Sequence, residues 1–371
     1  MVWFLVSLIL LGLSACSPKT IDIPGRLFFI NNYGICDENP ISVFELKTGM
    51  KSPEQLWTNL PCNKTGFSSI LVSQDNKFAL LISDSLPNRL VQLNLSTGET
   101  KIILLPDFET PKPIELKGAL SPNNRYFVFS EYNPVDFWIK PRVYLIDLAL
   151  GSNSILFESP CAPYGNLGDK NGTIVCASIG LPQWIDNETI IFSSYSDDLP
   201  KTVEWGADID PNRTFVMDLN GNILQEITPA LYIAEIAGPT MLYYEYDKGN
   251  EGYKWIETSE VKQGVINPHL LNVNSQFRNN NIGDPGYLEI PNISPDGQFA
   301  LQRIDGVWHL IGLRDGTDIV TPISREHCGR WSPDQKFIWC GDSGSEIISL
   351  ESFKSTKLIF PQTFWPFAWL P

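Results

Sequence analysis

Three kinds of side chain in this 371-residue sequence have types and spacings that could do chemistry: seven cysteines, three histidines and one acidic stretch. Asp208-Ile209-Asp210-Pro211-Asn212 has the alternating oxygen ligands that open a calcium loop, and Asp197 and Asp198 stand close enough to add more. An EF-hand loop needs Gly at its sixth position and Glu at its twelfth. Here those positions hold Arg213 and Leu219. Asp208, Asp210 and Asn212 are therefore candidate cation ligands set against the simpler reading of a solvated acidic loop. No Cys-x-x-Cys spacing exists, and His269, His309 and His327 are not placed to complete a zinc site. No phosphate-binding Gly-rich motif or dinucleotide fingerprint is present, so no cofactor is expected.

The odd cysteine has its own explanation. Residues 2–13 are apolar apart from Ser7 and Gly12, a run too short for a membrane span of ~20 residues and suited to the core of an export signal. It ends in Leu13-Ser14-Ala15-Cys16, which resembles the lipobox of bacterial lipoproteins, although no Lys or Arg precedes the run. The resemblance implies cleavage after Ala15, a lipid on the Cys16 thiol, and a protein held at the extracytoplasmic side of a bacterial membrane. Residues 1–15 then form the signal peptide and 16–25 a lipidated linker. Six cysteines remain, an even set that reads as disulfides outside the cytosol. Six allow 15 pairings. The local pairs Cys36 with Cys62, Cys161 with Cys176 and Cys328 with Cys340 would each clip one loop or hairpin.

Gly341-Asp342-Ser343-Gly344-Ser345 resembles the segment around the nucleophile of chymotrypsin-like proteases. A triad also needs a histidine base and an orienting carboxylate, and none of the three histidines lies in a matching motif. The segment is expected to be a hairpin turn.

Composition narrows the function classes. The 42 Asp+Glu against 27 Lys+Arg give a net charge of −15, the wrong sign for a nucleic-acid binder. With 43% hydrophobic residues, 12% aromatics and scattered Gly and Pro, the chain is neither disordered nor coiled coil. Its length exceeds what one core usually serves, ~250 to 300 residues, which calls for two domains or a repeat.

A repeat is present. Ser294-Pro295-Asp296-Gly297-Gln298-Phe299-Ala300-Leu301 and Trp331-Ser332-Pro333-Asp334-Gln335-Lys336-Phe337-Ile338-Trp339 each combine a tight turn with an aromatic strand. Degraded copies begin at Ser73, at Leu120-Ser121-Pro122-Asn123 and at Trp184-Ile185-Asp186-Asn187. A second phrase, a Gly-bearing turn between two strand-like runs, follows most copies, as in residues 43–49, 90–100, 143–152, 215–222 and 307–316. Together the two phrases make a four-stranded unit. The markers 73, 121, 185, 294 and 332 leave one gap of 109, which residues 237–246 fill with a degenerate copy. Counting the N-terminal hairpin gives seven units of ~51 residues.

On these turns and strands the chain resembles the WD40-like propeller repeat family, as in TolB and in the propellers of prolyl oligopeptidases. The resemblance implies an all-β fold: a single β-propeller of four-stranded blades over residues 26–371, most simply seven-bladed, with six or eight open. The apolar tail 364–370 is expected to join the N-terminal strands in one blade and hide an edge. The resemblance is to the propeller half of a prolyl oligopeptidase, and no catalytic hydrolase half is expected. Binding residues are expected on the long connections, which carry Trp138, Tyr195, Asp197, Asp198 and Trp205. The functional expectation is a membrane-anchored, non-catalytic binding or scaffold module for an envelope or extracellular protein or glycan. The alternative is an enzyme acting on a glycan or peptide through carboxylates or a cation at the propeller's central mouth.

Overall fold

Four of the turn phrases close around a serine. In the computed structural model the described residues are 23–31, 41–50, 52–58, 60, 69–82, 89–105, 115–132, 140–163, 174–195, 212–244, 253–266, 269–270, 292–304, 306–324, 328–341, 346–358 and 364–371. Ser73, Ser121, Ser294 and Ser332 are all buried. Ser332 Oγ accepts from Phe337 N at 2.9 Å and donates to Asp334 Oδ1 at 2.6 Å. The same geometry recurs from Phe299 and Tyr126 to their serines, each at 2.9 Å, and from Phe78 to Ser73 at 3.0 Å. The turn's fourth residue has positive φ: Gly297 at 70°, Asn76 at 59°, Asn124 at 60° and Gln335 at 59°. Only glycine adopts that region without cost.

The turns join seven four-stranded antiparallel blades. Blade 1 is Arg26–Asn31, Val43–Lys47 and Glu54–Trp57, completed by Phe364–Leu370. Blade 2 is Ser69–Val72, Phe78–Ile82, Arg89–Asn94 and Thr100–Leu104; blade 3 is Glu115–Leu120, Tyr126–Tyr132, Arg142–Asp147 and Ser152–Glu158. Blade 4 has a broken first strand, Ser178–Ile179 and Gln183–Trp184, then Thr189–Tyr195, Arg213–Asp218 and Ile223–Ile227. Blade 5 is Tyr232–Ala237, Thr240–Tyr244, Tyr253–Glu257 and His269–Leu270. Blade 6 is Asn292–Ile293, Phe299–Ile304, Val307–Gly312 and Asp318–Val320; blade 7 is Cys328–Trp331, Phe337–Cys340, Glu346–Ser349 and Ser355–Lys357. The only helix among the described residues is Thr258–Lys262, which packs on blade 5. The count of seven and the shared first blade match the expectation from the repeat.

The first strands of neighbouring blades lie against one another around the axis; Phe364–Leu370, for instance, touches both Ser69–Val72 and Cys328–Trp331. The closing strand pairs with Arg26–Asn31, Arg26 opposite Leu370 and Ile30 opposite Trp365. Pro366 is tolerated there because the innermost strand of a blade is an edge, where no ladder donor is needed. Between blades lie separate apolar clusters, such as Leu80, Ile82 and Leu90 of blade 2 with Phe127, Phe129 and Ile146 of blade 3. Another joins blade 7 to blade 1 through Trp339, Ile347, Phe29 and Leu46. Each blade thus buries its faces only against its neighbours, as in any repeat built from units too small to fold alone.

The up-and-down strands give the ring two unlike faces. First-to-second and third-to-fourth connections emerge on one, the turn face, where the Ser-Pro-Asp turns and the positive-φ glycines 49, 98, 151, 221 and 316 lie. Second-to-third and fourth-to-first connections emerge on the other, the connection face. On that side a separate hairpin, Cys161–Pro163 with Ile174–Cys176, stands between blades 3 and 4. Its cysteines are cross-strand partners and form a disulfide, as do Cys328 and Cys340 within blade 7. Two of the three expected local clips are therefore present; Cys36 and Cys62 lie outside the described residues, as does Cys16.

The turn predicts two opposite stability effects at neighbouring positions. Ser332→Ala leaves the part-buried Phe337 N–H without its partner and is expected to cost about 1–2 kcal/mol. Gln335→Gly relieves a left-handed residue and is expected to add about 0.5–1 kcal/mol, less the entropy that glycine gives the unfolded chain. Urea unfolding of both variants checks the pair, and equal signs would contradict this account of the turn.

Candidate functional site in the central channel

The residue two places before each turn marker has a fixed location. Leu71, Ala119, Gln183, Glu235, Asn292 and Arg330 pair across to Leu80, Val128, Ile191, Leu242, Leu301 and Trp339 on the second strands. They occupy one level of six successive inner strands, all partly exposed to the channel. Blades 2 and 3 contribute leucine and alanine at this level, whereas blades 4 to 7 contribute an amide, a carboxyl, an amide and a guanidinium. The result is a polar arc along one side of the channel.

The arc is organised across blade boundaries. Glu235 Oε2 accepts from the backbone N–H of Ile293, on the next inner strand, at 3.1 Å. That N–H lies on the free edge of its sheet, so the carboxylate satisfies a donor that the ladder leaves unpaired. Asn292 Oδ1 accepts from the Trp331 indole at 2.6 Å, again one blade on. Trp184 makes the equivalent latch, donating to Ala119 O at 2.9 Å. Gly329, next to Arg330, keeps space beside Asn292: a Cβ there would stand 3.2 Å from the Asn292 amide nitrogen.

Glu235 is the unusual group. Burial of its carboxyl pushes its pKa up to about 7, against the opposing pull of the Ile293 N–H and the positive charge of Arg330. A carboxyl that titrates near neutrality can donate or accept a hydrogen bond and can exchange a proton with a ligand. At the connection-face end of the same strand is Tyr232, three residues or ~10 Å along. Its ring lies 5.2 Å from that of Tyr195.

The residues singled out from sequence are only partly within view. Tyr195 is described, partly buried at the end of the second strand of blade 4. Asn212 is described immediately before Arg213–Asp218. Trp138, Asp197, Asp198, Trp205, Asp208 and Asp210 lie outside the described residues, as do Asp342, Ser343, Gly344 and Ser345. The strands flanking 342–345, Phe337–Cys340 and Glu346–Ser349, pair with each other, as the hairpin reading requires. Among the described residues no group of three His, Cys, Asp or Glu comes together to hold a metal. His309 bonds Asp318 at 2.8 Å and His269 stacks on Trp255 at 4.3 Å, so both are engaged on outer parts of blades. The sequence reading missed Gln183, Glu235, Asn292 and Arg330. The signal that could have found them is their constant offset from the turn marker.

Glu235 predicts a pH effect with a definite sign. Its folded pKa, about 7, lies above the ordinary value of 4.5, so between those values the folded chain holds more proton than the unfolded chain. This group's contribution therefore falls as pH rises from about 4.5 to about 7 and is flat above. Glu235→Gln removes the effect: thermal unfolding should show the variant gaining on the wild type between about pH 5 and about pH 8, whereas a constant gap would contradict the burial.

No protein-family model and no curated protein sequence matches the chain. Solved structures do. An oligogalacturonate lyase in complex with manganese is similar at TM-score 0.53 and 14% identity, over 87% of this chain and 92% of that one. An acylaminoacyl peptidase from Pyrococcus horikoshii is similar at TM-score 0.56 and 10% identity, over 92% of this chain and 52% of that one. TolB from Acinetobacter baumannii aligns at TM-score 0.43 and 14% identity, over 92% of this chain and 65% of that one. The chain spans about half the length of the peptidase and about two thirds of that of TolB. The likeness to the lyase and the peptidase, at identities this low, is one of fold alone, and the strand order makes the chain a seven-bladed β-propeller, closed by strands from both of its ends.

Proposed function

We propose that the chain is an exported lipoprotein, held to a membrane through lipid on Cys16, whose propeller is a non-catalytic binding module for an envelope or extracellular protein or glycan. The observation that carries the binding reading is the polar arc Gln183, Glu235, Asn292 and Arg330, gathered at one level of the inner strands. Two disulfides in register across paired strands support an oxidising compartment.

A second reading is a glycan- or peptide-active enzyme, favoured by a carboxyl poised near neutrality. Glycosidase chemistry uses two carboxyl groups facing one bond. The described inner-strand residues include two acidic ones, Glu235 and Glu115, and Glu115 starts its strand at the connection face, four residues from the level of the arc. Among the described inner-strand residues Glu235 is thus the one carboxyl at the level of the arc, and it is tied to a backbone N–H, which suits recognition better than acid–base turnover on a glycosidic bond.

Cys16→Ala should move a folded protein from the membrane to the soluble fraction, read by fractionation together with its melting curve. A variant that stays with the membrane contradicts the lipid anchor. Capture from solubilised envelopes should lose its partner on Arg330→Ala with the fold intact. Turnover of a glycan or peptide that Glu235→Gln abolishes would favour the enzyme instead.

A further inference from the structure

The lipid anchor and the two faces of the ring together determine which face meets the membrane; this inference rests on the anchor reading above. The chain enters the propeller on the turn face. Ile23 is 2% exposed, and its carbonyl accepts a bond from Thr48 in the third-to-fourth turn of blade 1. Pro24 O accepts from the Trp369 indole at 2.7 Å, and Gly25, at φ 72°, packs against the Leu370 carbonyl. The entry point is therefore fixed and cannot swing to the other face. Cys16 lies seven residues before Ile23, a reach of at most ~25 Å when fully extended. Strands of five to seven residues make the ring ~17–23 Å deep. Turning the other face to the bilayer would stretch the linker straight down past the rim with almost no slack.

Charge points the same way. The stretches of sequence that link strand ends on the connection face, 32–40, 59–68, 83–88, 106–114, 133–141, 164–173, 196–211, 245–252, 271–291, 305, 325–327, 342–345 and 359–363, contain 20 Asp+Glu and 8 Lys+Arg, an excess of 12. From chain totals of 42 and 27, everything else holds 22 and 19, an excess of three. The turn face is a mosaic of matched pairs: Lys77 with Asp75 at 2.9 Å, Arg125 with Asp147 at 2.9 Å, Arg314 with Glu257 at 3.2 Å, and Lys262 with Asp186. Anionic headgroups repel the first face and are nearly indifferent to the second.

We propose that the anchored propeller rests with its charge-balanced turn face against the lipid surface and its acidic connection face turned outward. The channel mouth beside Tyr195 and Tyr232 then opens away from the bilayer.

The test uses the full-length lipidated protein in vesicles of phosphatidylethanolamine and phosphatidylglycerol containing a headgroup nitroxide lipid. A fluorescent non-natural side chain is placed at position 150, on a turn-face loop where Leu150 is 75% exposed, or at position 104, at a connection-face strand end where Leu104 is 65% exposed. Because the faces stand ~20 Å apart, quenching should be about threefold greater at position 150. Equal quenching, or more at position 104, overturns the orientation while leaving the anchor intact. Lipidated protein that fails to sediment with vesicles overturns the anchor, and the orientation with it.

Discussion

The pairing of Phe364–Leu370 with Arg26–Asn31 is the constraint on which the other features rest. A ring of blades has no internal partner for its first and last units unless the chain ends are joined, and each blade's faces are buried only by its neighbours. Drawing the C-terminal strand to the inside of blade 1 completes the cluster of Trp339, Ile347, Phe29 and Trp369 between blades 7 and 1. It also presents Leu370 and Trp369 to Gly25 and Pro24, and so fixes where the N-terminal segment enters. Closure therefore sets both the channel and the side from which the chain can be tethered.

Once the ring is closed, every inner strand stands at the same height, and a single sequence position becomes a structural level. This is how Gln183, Glu235, Asn292 and Arg330, far apart in sequence, come to share one side of a channel. The links between them, Glu235 to the Ile293 N–H and the Trp331 indole to Asn292, run from blade to blade and use donors that the sheets leave at their inner edges. Burial raises the pKa of Glu235, and the Ile293 N–H and Arg330 moderate the rise. The arc is thus coupled to the integrity of the whole ring.

Much of the fold was legible because its turn chemistry is local. A buried serine bonding the backbone five residues on, and a residue at positive φ, leave marks within one short phrase, and even the degraded copy at Asn123-Asn124 keeps them. The copy near residue 237 lost its serine and was recovered from spacing alone; there Gly238 and Pro239 make the turn between Ala237 and Thr240. Candidate site residues were sought on long connections, where composition attracts attention. Glu235 escaped because its strand reads Tyr-Ile-Ala-Glu-Ile-Ala, in which one carboxylate looks like a solvent-facing residue of an ordinary strand. Only the ring's closure converts that position into a channel lining, and no local pattern records it. The disulfide partners were legible as local pairs, yet only the strand register brings Cys161 opposite Cys176 and Cys328 opposite Cys340.

The central claim is that closure creates a buried, proton-exchanging carboxyl on one side of the channel. It is tested most directly by a carbon-detected NMR titration of the side-chain carboxyls, with the Glu235 signal assigned by its loss in Glu235→Gln. The account predicts a midpoint near 7. A midpoint at the ordinary glutamate value of 4.5 would show that the carboxyl is solvated and would remove the channel arc as the organising feature of the site.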